Sequence, residues 1–179
     1  MPAWVNAANV FTLVRLASVP FIVRAILNQQ HGTALAIFIM AALTDTIDGT
    51  LARHFHMATQ FGAYLDPITD KLFLSSIYLS LAATGSVPVW LVALIFGRDL
   101  AMLTASGIAY RFLGMRRFPP SVFGKASTFF QISCAAAVLG NNAGLPLGAL
   151  AQPLVWPAAA LTAFSGVHYI WRGLRRRPN

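Results

Sequence analysis

Residues 33–52 read Thr33-Ala-Leu-Ala-Ile-Phe-Ile-Met-Ala-Ala-Leu-Thr44-Asp45-Thr-Ile-Asp48-Gly49-Thr-Leu-Ala52. The apolar part is continuous and does not alternate. That suits a helix, which satisfies its backbone hydrogen bonds internally, and does not suit a strand of a membrane barrel. Working outward, five further apolar runs lie at 8–27, 64–83, 88–110, 124–141 and 152–171. Each is close to the roughly 20 residues a helix needs to cross the hydrocarbon layer. The sequence therefore predicts an all-α membrane protein, six transmembrane helices forming one domain over 1–179.

Composition agrees. Hydrophobic residues make up 57% of the 179 positions and charged residues 10%, a balance that no soluble domain of this size requires. Turn formers separate the runs at Asn28–Gly32, Thr84–Pro88, Arg116–Pro120 and Gly140–Gly144. Met1 onward lacks a basic segment and a small-residue cleavage site, so the first run is expected to stay in the protein. Cys134 is a single cysteine in an apolar stretch and reads as a small core residue.

Charge sets the orientation. Arg53 and Lys71 flank the second connection, Arg111, Arg116, Arg117 and Lys125 the fourth, and Arg172, Arg175, Arg176 and Arg177 follow the last run. The connections near 28–32, 84–88 and 140–151 carry no Lys or Arg. By the positive-inside rule both termini and the second connection face the cytoplasm. The formal charge of +8 is then an orientation and headgroup signal, not a nucleic-acid footprint.

The acidic residues are Asp45, Asp48, Asp66, Asp70 and Asp99, with no glutamate. Four of them fall in Asp45-Thr-Ile-Asp48-Gly49-Thr-Leu-Ala52-Arg53 and, after eight residues, Gly62-Ala-Tyr-Leu-Asp66-Pro-Ile-Thr-Asp70. Carboxylates beside a bilayer are costly, so a cluster needs compensating cations. Only Arg53 and Lys71 are close in sequence, which points to bound metal. On a helix Asp45, Asp48, Gly49 and Ala52 share one face, with room beside the carboxylates for a flat group. Asp66 and Asp70 form a second stripe, and Pro67 predicts that the third helix begins or kinks near Asp66. All-carboxylate ligation selects hard cations, Mg²⁺ or Mn²⁺. Two such ions can clamp a phosphoryl group, so the substrate is expected to be a diphosphate. His54 and His56 read as solvated or headgroup-facing.

The two halves together match, at every fixed position and gap, the signature D-x2-D-G-x2-A-R-x8-G-x3-D-x3-D of the CDP-alcohol phosphatidyltransferases. The resemblance extends to Asn9-Val-Phe-Thr-Leu-Val-Arg15 with Pro20 and to the six-helix plan. It implies a homodimeric enzyme of the membrane, bacterial inner membrane by type, working at the cytoplasmic face. Such an enzyme takes CDP-diacylglycerol, releases CMP, and passes through no covalent intermediate. Carried over by position, the resemblance makes Asp45, Asp48, Asp66 and Asp70 the ligands of two divalent cations and Asp70 the general base. Asp48, Gly49, Ala52, Arg53 and Gly62 would take the nucleotide and its diphosphate.

The acceptor is read from other residues. Arg98-Asp99 and the stretch Pro120–Gln131 resemble the branch making phosphatidylglycerol phosphate and cardiolipin, and Asp99 in place of a glutamate tilts the reading toward cardiolipin. Arg98, lone in an apolar run, is a candidate for an acceptor phosphate, against a structural pairing with a backbone carbonyl or Asp99 of a neighbouring element. Asp99 itself should point about 100° away on a helix. Arg15 has the same status as Arg98, and Lys125 and Arg111 are further acceptor candidates with headgroup contact as the alternative. Other acceptors, inositol phosphate or serine, would use the same chemistry. An ion-coupled transporter would place its carboxylates at the membrane midplane. A membrane prenyltransferase would not need Gly49, Ala52 and Arg53 at these offsets.

Overall fold

The computed structural model describes the backbone of residues 7–54, 60–113 and 122–175, and the side chains of 13–44, 68–104, 122–169 and 171. It is all-helical there: α1 Ala7–Leu27, α2 His31–His54, α3 Gln60–Ala83, α4 Val89–Leu113, α5 Val122–Asn142 and α6 Gly148–Arg175. Each predicted run falls on one helix, only Pro88 of the run 88–110 lying just before its helix. Two of the six are long and apolar enough to cross a membrane among the described residues, Val122–Asn142 and Gly148–Tyr169. In α2 the acidic motif directly follows the apolar residues 33–44.

The chain divides into two compact units, residues 1–86 with 142–145, and 87–141 with 146–179. In the first, α1 packs against both α2 and α3. Its core is drawn at helical spacing from Ile22, Ala25 and Ile26 of α1, Ala34, Phe38 and Ala41 of α2, and Phe73, Ile77, Tyr78 and Leu81 of α3. The rings of Phe38 and Phe73 stack at 6.4 Å. In the second unit α4 packs against α6. There a buried polar cluster joins α5 to α6: Gln131 Nε2 donates to Thr162 Oγ1 at 2.8 Å and to Ser127 Oγ at 3.2 Å, while Ser127 and Thr162 lie 3.0 Å apart. Thr162 Oγ1 gives its own hydrogen to the Ala158 carbonyl at 2.6 Å, so Ser127 is the donor between the two hydroxyls.

Helix ends follow local chemistry. At the end of α3, Gly85 N–H bonds to Ala82 O and Ser86 N–H to Leu81 O, with Gly85 at φ 72°. This is the Schellman arrangement that a glycine serves without steric cost. The same bonds close α1, from Gln29 to Ile26 O and Gln30 to Ala25 O, and there the left-handed residue is Gln29 at φ 56°.

Two expectations are corrected. Of a start or a kink expected near Asp66, the start is not found: helix α3 begins at Gln60 and runs through Pro67. A proline removes a single ladder bond, and membrane helices accommodate that loss through neighbouring polar groups; Pro20, Pro153 and Pro157 also lie inside helices. Gly140, Asn141 and Asn142 do not break α5, which continues through Asn142, and Gly144 at φ 89° makes the turn that follows. Cys134 is fully buried, as read from the sequence.

Candidate active site

The first half of the acidic motif lies on the C-terminal part of α2 and the second half on the N-terminal part of α3. On α2 the buried stripe Ala34, Phe38, Ala41, continued at helical spacing, arrives at Asp45 and Asp48. On α3 the stripe Phe73, Ile77, continued backward, passes Thr69, which is buried, with Asp70 beside it and Asp66 one turn earlier. The side chains of Asp45, Asp48, Gly49, Ala52, Arg53, Gly62 and Asp66 lie outside the described residues, as do those of Arg111 and His54 and the whole of His56.

Asp70 is described in full. Its carboxylate accepts a hydrogen bond from Arg15 Nη1 of α1 at Oδ1, forming an ion pair. The partners differ sharply in setting: the Arg15 side chain is 6% exposed and that of Asp70 50% exposed. A cation 55 residues away in sequence thus supplies part of the compensation, beside the bound metal that the sequence points to. Arg15, read from the sequence as an acceptor candidate, is paired with a motif carboxylate. Arg15 and Ser18 also line a groove of about 250 Å³ between α1 and α2, whose other walls include Ile37, Met40, Ala41 and Thr44.

Arg98 belongs to the second unit. Its Nη1 donates to Asp99 Oδ1 at 2.7 Å and its Nη2 to Ser165 Oγ of α6 at 2.9 Å. The expected divergence of Asp99 is therefore corrected. Neighbouring Cβ atoms do diverge on a helix, but the long arginine side chain curls back to its short neighbour. Gly166 makes room for it, since a Cβ there would stand 3.3 Å from Arg98 Cγ. Arg98 Nε is buried without a hydrogen-bond partner. Lys125 is exposed, as a headgroup-facing residue would be.

Ser165 and Gly166 went unnoticed in the sequence, where small residues in an apolar run carry no mark. The Arg15 partnership had one usable signal. A cation inside an apolar helix requires an anion, and aspartate was the available type.

The sequence model of the CDP-alcohol phosphatidyltransferase family matches residues 5–164. The chain belongs to that family. Its match runs across both compact units, and with it the chain joins the CDP-diacylglycerol-dependent transferases of phospholipid synthesis. Among curated proteins, a probable phosphatidylglycerophosphate synthase of Mycobacterium tuberculosis is 36% identical over 95% of this chain and 82% of its own length. The CDP-diacylglycerol–glycerol-3-phosphate 3-phosphatidyltransferase of Bacillus subtilis is 29% identical over 95% and 97%. A CMP-forming cardiolipin synthase of Streptomyces coelicolor is 28% identical over 93% and 78%. The family uses divalent cations, and the donor set fits them: four carboxylates with no thiolate among the signature residues suit a hard ion.

Proposed function

We propose that this chain transfers the phosphatidyl group of CDP-diacylglycerol to a hydroxyl of glycerol 3-phosphate, giving phosphatidylglycerol phosphate and CMP. The observation that carries the reading is the complete signature, Asp45 to Asp70, divided between the end of α2 and the start of α3 within a family match covering both units. Identity favours glycerol 3-phosphate, since the relatives named for phosphatidylglycerol phosphate reach 36% and those named cardiolipin synthase 28–31%. Phosphatidylglycerol, giving cardiolipin, is the second reading, kept because three of those synthases still match over 90% or more of this chain.

In the reaction the acceptor O–H is deprotonated and its oxygen attacks the phosphorus that carries diacylglycerol. A new O–P bond forms, the bond to the CMP oxygen breaks, and CMP leaves with that electron pair. Asp70 takes the proton. Asp45, Asp48, Asp66 and Asp70 would hold two cations, Mg²⁺ or Mn²⁺, which neutralise the diphosphate and the departing charge. Asp48, Gly49, Ala52 and Gly62 accommodate the nucleotide, and Arg53 binds its phosphates by charge-assisted hydrogen bonds. Arg98 takes the acceptor phosphate, with Lys125 and Arg111 as auxiliary cations.

We place the whole chain in the bacterial inner membrane as one catalytic domain of six spanning helices and a homodimer, its site on the cytoplasmic side. Large apolar side chains turned outward on several helices support a lipid surround, among them Phe21, Met40, Val89, Leu103 and Val167. The distribution of Lys and Arg supports the orientation.

The test is Asp70→Asn. Turnover should fall by about 10²–10⁴, the usual value of a general base, while the variant still binds CDP-diacylglycerol. Near-normal turnover by a folded Asp70→Asn protein would refute the assignment.

A further inference from the structure

We propose that Arg15 is a positioning residue for Asp70: it fixes the orientation of that carboxylate for its work on the acceptor hydroxyl and does not itself bind the acceptor. The proposal rests on the reaction above and adds to it a residue that lies outside the signature.

The argument begins with asymmetry. Arg15 is 6% exposed and Asp70 50% exposed. A buried guanidinium has few orientations open to it, because the helices around it fix its side chain. Arg15 lies on the inner face of α1, at helical spacing from Ile22 and Ala25, which are buried. Its own carbonyl accepts the Ser18 hydroxyl at 2.7 Å. The carboxylate, by contrast, is half exposed. A charge-assisted bond from a fixed donor favours one orientation of it. An ionised carboxylate has about four acceptor sites, so engagement at Oδ1 is compatible with further roles for the group. Groups that move protons must be held within about 0.5 Å and 10–20° of the productive geometry, by neighbours that are themselves locked.

Topology makes α1 the right place for such a residue. It packs on both helices that carry the motif. Arg15 reaches Asp70 on α3 and also lines the α1–α2 groove together with Thr44, the residue before Asp45. One arginine thus touches the surroundings of both halves. Its charge has a second effect. A cation beside Asp70 competes with any metal ion for that carboxylate, so removing it should not weaken cation binding.

The experiment uses the full chain in nanodiscs, with Arg15→Gln, Arg15→Lys, Asp70→Asn and the double variant Arg15→Gln/Asp70→Asn. Steady-state CMP release is measured against each substrate, and Mn²⁺ affinity by electron paramagnetic resonance. For Arg15→Gln we expect kcat to fall about 10–100-fold with both KM values within about 3-fold, the pattern of an interaction needed in the transition state. Mn²⁺ should bind as tightly as in the unaltered protein or more tightly. Arg15→Lys, which keeps the charge, should recover part of the loss. The double variant should be no slower than Asp70→Asn alone, because both changes act through one carboxylate.

An unchanged kcat in Arg15→Gln would overturn the proposal, as would a raised acceptor KM at constant kcat, which makes Arg15 an acceptor ligand. Joint loss of fold and Mn²⁺ binding in both Arg15 variants would reduce it to a structural strut. Should the unaltered chain release no CMP from CDP-diacylglycerol, the reaction itself falls and this role with it. Normal release by the unaltered chain and by every Arg15 variant removes the role alone.

Discussion

Arg98 has three nitrogens in a buried setting, with Nη1 on Asp99, Nη2 on Ser165 and Nε without a partner. Two satisfied nitrogens hold the guanidinium in place, and its charge in an apolar run is the reason to assign it an anion. Losing a hydrogen bond to a charged group is worth about 1.5–3 kcal/mol, so Arg98→Ala should raise the acceptor KM roughly 10–100-fold. The KM for CDP-diacylglycerol should change little, because only one substrate loses a contact. Parallel changes in both would remove Arg98 from the acceptor site. At this scale the sequence was legible for residue type and largely silent on partners. That Arg15 and Arg98 each needed an anion followed from their apolar surroundings. That the anions are Asp70 and the adjacent Asp99 did not follow, since one pairing spans 55 residues and the other depends on a side chain curling against its helix direction.

Elements were more legible, because a helix is set by local pattern. Runs of apolar residues closed by turn formers placed all six helices found among the described residues. The errors came where one residue's preference was weighed without its surroundings, as with Pro67 inside α3 and Gly140 inside α5. Gln29, in a left-handed turn that glycine would occupy more easily, gave no signal of its own. Nor did the Ser127, Gln131 and Thr162 cluster, whose third member lies more than 30 residues from the other two. Thr162 accepts from both partners, so Thr162→Val, nearly the same shape, leaves Ser127 and Gln131 each short of one bond. Polar contacts between membrane helices average about 0.6 kcal/mol and reach about 1.7. With about 1 kcal/mol lost, the Tm in detergent should drop by roughly 2–4 °C for a chain of this size. An unaltered Tm would mean that the cluster adds nothing to the packing of α5 on α6.

For the molecule as a whole, composition and the spacing of eight fixed positions carried the reading, and the family match over residues 5–164 agrees with it. What the sequence marks least is the acceptor, because the signature serves the donor and the chemistry common to the family. Acceptor choice belongs to residues with no fixed spacing to the motif. The most direct measurement therefore offers purified chain, with CDP-diacylglycerol and Mg²⁺ or Mn²⁺, glycerol 3-phosphate, phosphatidylglycerol, inositol phosphate and serine in parallel, and follows CMP release and product mass. The account predicts CMP release that requires both the metal and an acceptor, with phosphatidylglycerol phosphate as the main product. Absence of CMP release with every acceptor, or product from inositol phosphate or serine alone, would contradict it.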